Sequence, residues 1–343
     1  MQIQRGARDP FRHPSDRRSS LELFQPDPVI WIQSVLGPAW AAPLRVVSAL
    51  GSSWGVILVA GLALWLWGRR ALYAVLVVLV AETVVKKVVA ALLFVPRPEA
   101  AGIIKYEEVQ GVSSFPSGHV SSATGLWAAL AWLGHIPVLA AAGVGLLVGL
   151  SRVYLGVHWL TDVVAAVLLA LGVAWVAVRY LHPPVARALE RRSPRFWWML
   201  GAALAALSLL YLGTLASSNA FAWTSAGLGA GLGLALPAER SWVGYRPPEV
   251  SLGGRAARVA VGVAGLLPFF TAARLADEGA LGIRALLAFG GTLWALLAAP
   301  ALFSAWQGSG SRHSEGVSGP VDTEAAPSRE GRPAAGTPGE ARA

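Results

Sequence analysis

The stretch that decides the fold is "HWLTDVVAAVLLALGVAWVAVRYL", residues 158–181. Between Asp162 and Arg179 it holds no charge, and about 20 such residues cross a bilayer as a helix. It therefore reads as a membrane span with His158 and Asp162 at its mouth. Apolar blocks of similar length recur at about 51–68, 71–94, 117–134, 136–152, 196–215, 220–236, 257–274 and 282–304, which makes about nine spans in all. Composition agrees: of 343 residues, 55% are hydrophobic and only 14% charged, against about 25% charged in a soluble domain. The fold expected is all-α, a polytopic transmembrane helical bundle.

Outside these blocks the chain changes character. Residues 1–27 are polar and Arg-rich, with no apolar run of the kind a cleavable signal needs. Residues 28–50 carry Pro38, Pro43 and Arg45 within a marginal length, which favours interfacial helices over a tenth span. Residues 51–181 form the expected core and 182–306 a four-span region. The tail 307–343, rich in Gly, Ser, Pro, Glu and Arg, is expected to be disordered. There are no cysteines, so neither disulfides nor thiolate metal sites enter.

The formal net charge of +9 fits loop arginines beside anionic lipid headgroups rather than a nucleic-acid partner. Arg69, Arg70, Arg187, Arg191, Arg192, Arg195, Arg240, Arg246, Arg255 and Arg258 all fall on one side of the spans. The other side mixes Arg97, Lys105, Arg152, Arg274 and Arg284 with Glu107, Glu108, Asp277 and Glu278. The positive-inside rule puts that second side outside the cytoplasm. A composition heavy in Ala, Gly, Arg and Trp points to a bacterial inner membrane.

Three clusters open onto this outer face: Arg97-Pro98, Ser117-Gly118-His119, and Arg152 with His158 and Asp162. Together they supply cations, small donors, two imidazoles and a carboxylate, an inventory suited to a phosphate group. Arginine offers a rigid fork of donors to phosphate oxygens. Ser117-Gly118 opens a helix, where free backbone N–H groups favour an anion. His158 and Asp162 are four apart and share a helical face. The carboxylate can fix the imidazole tautomer and leave the other ring nitrogen free to attack phosphorus, with His119 as general acid.

Blander alternatives exist for each piece. Pro116 and Ser117 also suit an ordinary helix start, and arginines at span ends also anchor headgroups. His158 and Asp162 are also half of a metal site, but the chain offers few further ligands beside them. The joint pattern is more specific than any part, and neither a cofactor nor a metal is expected.

"PSGH" at 116–119 and "SRVYLGVHWLTD" at 151–162 resemble the second and third signature motifs of the type 2 phosphatidic acid phosphatase and haloperoxidase superfamily. "PRP" at 96–98 looks like the end of its first motif. The resemblance covers roughly residues 28–181 and places the phosphatase core in the first five spans. It implies His158 as a nucleophile forming phosphohistidine, Asp162 as its orienter and His119 as general acid. It further implies Arg97, Ser117, Gly118 and Arg152 as phosphate ligands. The nine-span layout is similar to glucose-6-phosphatase and the sphingosine-phosphate phosphatases.

The first motif departs from the pattern: the family has a lysine seven residues before the Arg, where this chain has Ala90. Lys86 and Lys87 lie about 5 Å deeper in the span. Glu82 stands four residues before Lys86 and could simply neutralise it. Lys87 is the preferred substitute ligand, with Lys105 in the facing loop as another.

The function expected is a metal-independent phosphatase acting on a membrane lipid: undecaprenyl diphosphate, phosphatidate, phosphatidylglycerophosphate or a sphingoid-base phosphate. A phosphotransferase, a soluble sugar-phosphate phosphatase and an inactive lipid-binding relative are the alternatives. Phe115, Tyr154 and Trp159 suit either the rim of a lateral entrance or an interfacial belt. The last four spans either pack on the core or support a homo-oligomer.

Overall fold

A computed structural model describes residues 24–107, 113–215, 220–277 and 279–306. Most of the polar N-terminal segment, the tail expected to be disordered, and Glu108, Asn219 and Glu278 lie outside the described residues. Among the described residues there is no strand. The chain is an all-α bundle with helices α1 (Asp27–Leu36), α2 (Ala41–Ser48), α3 (Ser53–Trp67), α4 (Arg69–Leu92), α5 (Gly118–Trp132), α6 (Val138–Tyr154), α7 (Leu160–Val176), α8 (His182–Glu190), α9 (Pro194–Leu215), α10 (Ala220–Ala238), α11 (Leu252–Leu275) and α12 (Leu281–Leu293).

A helix lies over each apolar block read from the sequence. Four continuous helical stretches, Leu160–Glu190, Pro194–Leu212, Leu252–Leu275 and Leu281–Trp306, are long and apolar enough to cross a membrane. A fifth is the bent pair Pro38–Gly51 and Ser53–Trp67, which meet at 58°. The other blocks are helices of another kind. α4 carries Glu82, Lys86 and Lys87 between its apolar ends, and α5 has only 15 residues.

The surface of α4 shows its surroundings. Val80, Val84, Val88 and Leu92 recur every four residues and are all more than half exposed. An apolar stripe of this kind faces lipid. The opposite row runs through Val78 and Glu82, both buried.

In lipid there is little hydrophobic gain from helix contact, so close packing of small residues carries the association. α5 packs between α4, α6 and α7, while α10 packs between α9 and α12. A Cβ on Gly201 of α9 would stand 2.1 Å from the Gly233 carbonyl oxygen of α10. Those backbones touch, and only glycine permits it.

The two halves of the bundle join at Trp65, which is fully buried on α3. Its indole N–H donates to the Ala295 carbonyl at 2.7 Å, and its carbonyl accepts from the Tyr245 hydroxyl at 3.0 Å. At the arginine-rich end, Arg69 forms a two-point ion pair with Glu239 at 2.8 and 3.1 Å. Arg240 donates to the Glu190 carbonyl at 2.6 Å and lies over the Trp197 ring. These arginines tie helices together besides offering charge to headgroups. From Arg69 the 24 residues of α4 run about 36 Å to the far end, where the site lies.

Candidate active site

Two loops and two helix starts meet there. The turn between α6 and α7 needs Gly156, whose φ of +74° and contact with the Ile104 carbonyl leave no room for a side chain. This turn delivers His158 just ahead of α7. Asp162, at the third position of α7, reaches back with Oδ2. That one oxygen accepts the Trp159 backbone N–H at 2.9 Å and faces His158 Nδ1 at 3.2 Å. The carboxylate thus starts the helix and aims the imidazole together.

When His158 Nδ1–H donates to Asp162 Oδ2, Nε2 carries the lone pair. Arg97 stands beside it, its Nη1 3.5 Å from Nε2 and donating to the Val157 carbonyl at 2.9 Å. His158 lies in the loop before the helix and is only 3% exposed. Burial is the main cause that pushes its pKa down. The hydrogen bond from Asp162 acts against this, and the positive charge of Arg152 and Arg97 adds to it. The neutral, nucleophilic form is favoured.

Arg152, on the last turn of α6, is fully buried. Its Nη1 donates to Ser48 Oγ at 2.8 Å and to Glu107 Oε1 at 2.9 Å. Its Nε and Nη2 are buried with no hydrogen-bond partner, as are Ser117 Oγ and Asp162 Oδ1. Ser117 immediately precedes α5 without a side-chain cap, and its backbone N–H meets the Asp162 carbonyl at 3.4 Å, so the α5 and α7 starts touch. Gly51 seats the α5 start from behind, for a Cβ there would lie 2.2 Å from the His119 carbonyl oxygen. The His119 ring is within electrostatic reach of Arg152, His158, Lys86 and Arg97.

The three sequence clusters are therefore one site. Unsatisfied buried donors are costly, and here they belong to a guanidinium and a serine beside an unprotonated imidazole nitrogen. Chemically, such unpartnered donors can receive an anion close to an imidazole. Among the described residues, no three His, Asp or Glu side chains gather as metal ligands.

Residues 67–186 match the family model described as PAP2 superfamily. Over that stretch, about a third of the chain, the sequence is similar to the PAP2 superfamily. His119, His158, Asp162, Arg97 and Arg152 all lie inside it. The chain is also similar to the crystal structure of a transmembrane PAP2 type phosphatidylglycerolphosphate phosphatase from Bacillus subtilis. That similarity has 21% identity and a TM-score of 0.38, over 53% of this chain and 90% of the other. No curated protein matches the chain.

The two lysines of α4 are placed in the reverse of the expected order. Lys87 is exposed, on the flank of the Val80, Val84 and Val88 stripe. Lys86 follows Val78 and Glu82 on the packed row, and its Nζ lies 3.5 Å from where a Gly118 Cβ would stand. One residue of helical phase, about 100°, separates the lipid side from the site. Lys105 pairs with Glu99 at 3.2 Å on the surface.

Of the three aromatics, Tyr154 and Trp159 are interior. Tyr154 stacks on Tyr106 and donates to the Gly37 carbonyl at 2.6 Å, while Trp159 donates to the Pro96 carbonyl at 2.8 Å. Phe115 alone lines a recess, an apolar cavity of about 360 Å³ with Phe24, Leu92, Leu93, Phe94 and Val95.

Sequence reasoning missed the support from residues 28–50. Gln33 is buried and donates to the carbonyls of Ile104 and Tyr154, both at 2.7 Å, while accepting from Ile104 N–H at 3.0 Å. Arg45 donates to the Tyr106 carbonyl. These bonds hold the 99–107 loop against the α6 end and bring Glu107 to Arg152. The polar Gln33, Arg45 and Ser48 on largely apolar short helices were the available signal.

Proposed function

We propose that this chain is a membrane phosphatase that hydrolyses a lipid phosphate or diphosphate through a phosphohistidine on His158, with the site on the extracytoplasmic face. The observation that carries this is the buried Arg152 guanidinium, with Nε and Nη2 unpartnered, set beside an imidazole held by Asp162.

The substrate phosphate takes hydrogen bonds from Arg152, Arg97, Ser117 and the Gly118 end of α5, which neutralise its oxygens as charge shifts in the transition state. His158 Nε2 attacks phosphorus, the bond to the leaving oxygen breaks, and His119 gives that oxygen a proton. Water then attacks the phosphohistidine, giving its proton back to His119 and releasing phosphate. A lipid substrate is supported by the apolar recess, since it reaches Phe115 and Val95, each two residues from a proposed phosphate ligand.

The test is phosphate release by the purified full-length chain in detergent with EDTA present. The panel holds undecaprenyl diphosphate, phosphatidate, phosphatidylglycerophosphate, sphingosine phosphate and glucose 6-phosphate. Release from a lipid, lost in His158→Ala, is the expected result. Release from glucose 6-phosphate alone, or none from the whole panel, overturns the lipid phosphatase.

A further inference from the structure

Glu82 is a carboxylate in the middle of an apolar helix, 2% exposed, and the phosphoryl-transfer steps above do not use it. Its Oε2 accepts from the Ser121 hydroxyl of α5, and its Oε1 is buried with no hydrogen-bond partner. The side chain lies flat on α5: a Cβ on Gly125 would come within 2.9 Å of Glu82 Cγ. One turn further along α4, Lys86 feels the Glu82 charge and brings Nζ beside Gly118.

Charged side chains buried together seldom repay their desolvation, and apolar residues of the same size usually serve the fold as well. Ionisable side chains inside a membrane helix are costly and tend to mark function. A lone lysine at this depth would also stretch towards the helix end to reach water. Glu82 opposes that. Anchored by Ser121 at one oxygen, its carboxylate acts on the ammonium through charge from one turn deeper, without a direct hydrogen bond.

We propose that Glu82 is a positioning residue that holds Lys86 beneath Gly118 as a phosphate-binding cation, a role resting on the phosphate site described above. Ser121 fixes the carboxylate, the carboxylate fixes the ammonium, and the ammonium faces the same helix start whose backbone N–H groups receive the anion. Lys87, turned to the lipid side, has no part in it.

Orthovanadate, a phosphate-shaped inhibitor, tests this on the full-length chain, through both inhibition of lipid phosphate hydrolysis and the thermal shift it causes. Lys86→Met, which keeps length in an apolar setting, is expected to weaken vanadate about 10- to 100-fold. Lys87→Met is expected to stay within about twofold of the parent. Glu82→Gln retains an acceptor for Ser121 and is expected to lose about tenfold. Because Glu82 acts through Lys86, the Glu82→Gln/Lys86→Met double variant should be no weaker than Lys86→Met alone.

Unchanged vanadate affinity in folded Lys86→Met overturns the proposal, as do independent, multiplying losses in the double variant. Should Lys86→Met not fold, Lys86→Gln and the Glu82→Gln measurement decide in the same way. A parent protein that neither binds vanadate nor releases phosphate removes the phosphate site itself, an outcome distinct from failure of the lysine pair.

Discussion

Asp162 Oδ2 faces His158 Nδ1 at 3.2 Å while accepting the Trp159 backbone N–H at 2.9 Å. One oxygen serves both the start of α7 and the imidazole tautomer, so the two roles can be separated by substitution. Asp162→Asn keeps an acceptor for the Trp159 N–H but loses the charge that orients His158. Turnover is expected to fall by roughly a hundredfold to ten-thousandfold while the melting temperature moves little. A loss of folding equal to the loss of activity would show that Asp162 is only a helix cap.

Ser48 contributes from a helix that precedes every signature motif, by accepting from Arg152 Nη1 at 2.8 Å. Ser48→Ala leaves that buried guanidinium with Glu107 as its remaining described partner. The value of kcat/KM is expected to drop about tenfold, mostly through KM, since the role proposed for Arg152 includes holding the phosphate of the bound substrate. A purely kcat effect would place Ser48 elsewhere in the cycle.

Acid sensitivity follows from the nucleophilic role proposed for His158. Burial lowers its pKa beneath the ordinary 6.5, and only the neutral ring can attack phosphorus. Protonation therefore shuts the reaction down as pH falls through a value below 6.5, and activity persists at pH 6.5 itself. The acidic limb of kcat/KM against pH measures this directly. A limb centred above 6.5 would contradict the burial argument.

The join between the halves of the bundle depends on Gly262, where an added Cβ would stand 2.3 Å from Trp65 Cζ3. Gly262→Ala must move a fully buried indole that also holds the Ala295 carbonyl. A destabilisation of about 1–3 kcal/mol is expected, seen as a lower melting temperature in detergent. No change would mean that Trp65 shifts freely.

Much of this was legible in the chain itself. Apolar blocks marked the helices, because in lipid a helix is the form that satisfies its own backbone. His158 and Asp162 were legible as a pair from their spacing of four, but the shared helical face was not found: α7 starts at Leu160, and Asp162 reaches back to His158 in the preceding loop. Lys86 and Lys87 were harder: choosing between them needs the rotation of α4 about its axis, which Val78 and Glu82 fix only through their contacts with α5. Ser48, Gln33 and Glu107 act on residues far away in sequence, across loops whose path no local pattern encodes. Tyr154 and Trp159 had the composition of a membrane belt, yet each is drawn inward by one backbone carbonyl.

The measurement that tests the central claim most directly is rapid-quench mass spectrometry of the peptide carrying His158 during turnover of a lipid phosphate. The account predicts one transient phosphoryl group on His158, lost under acid, absent from His158→Ala, and rising before phosphate release reaches its steady rate. Steady turnover with no phosphoryl group on His158, or undiminished release by His158→Ala, would contradict it.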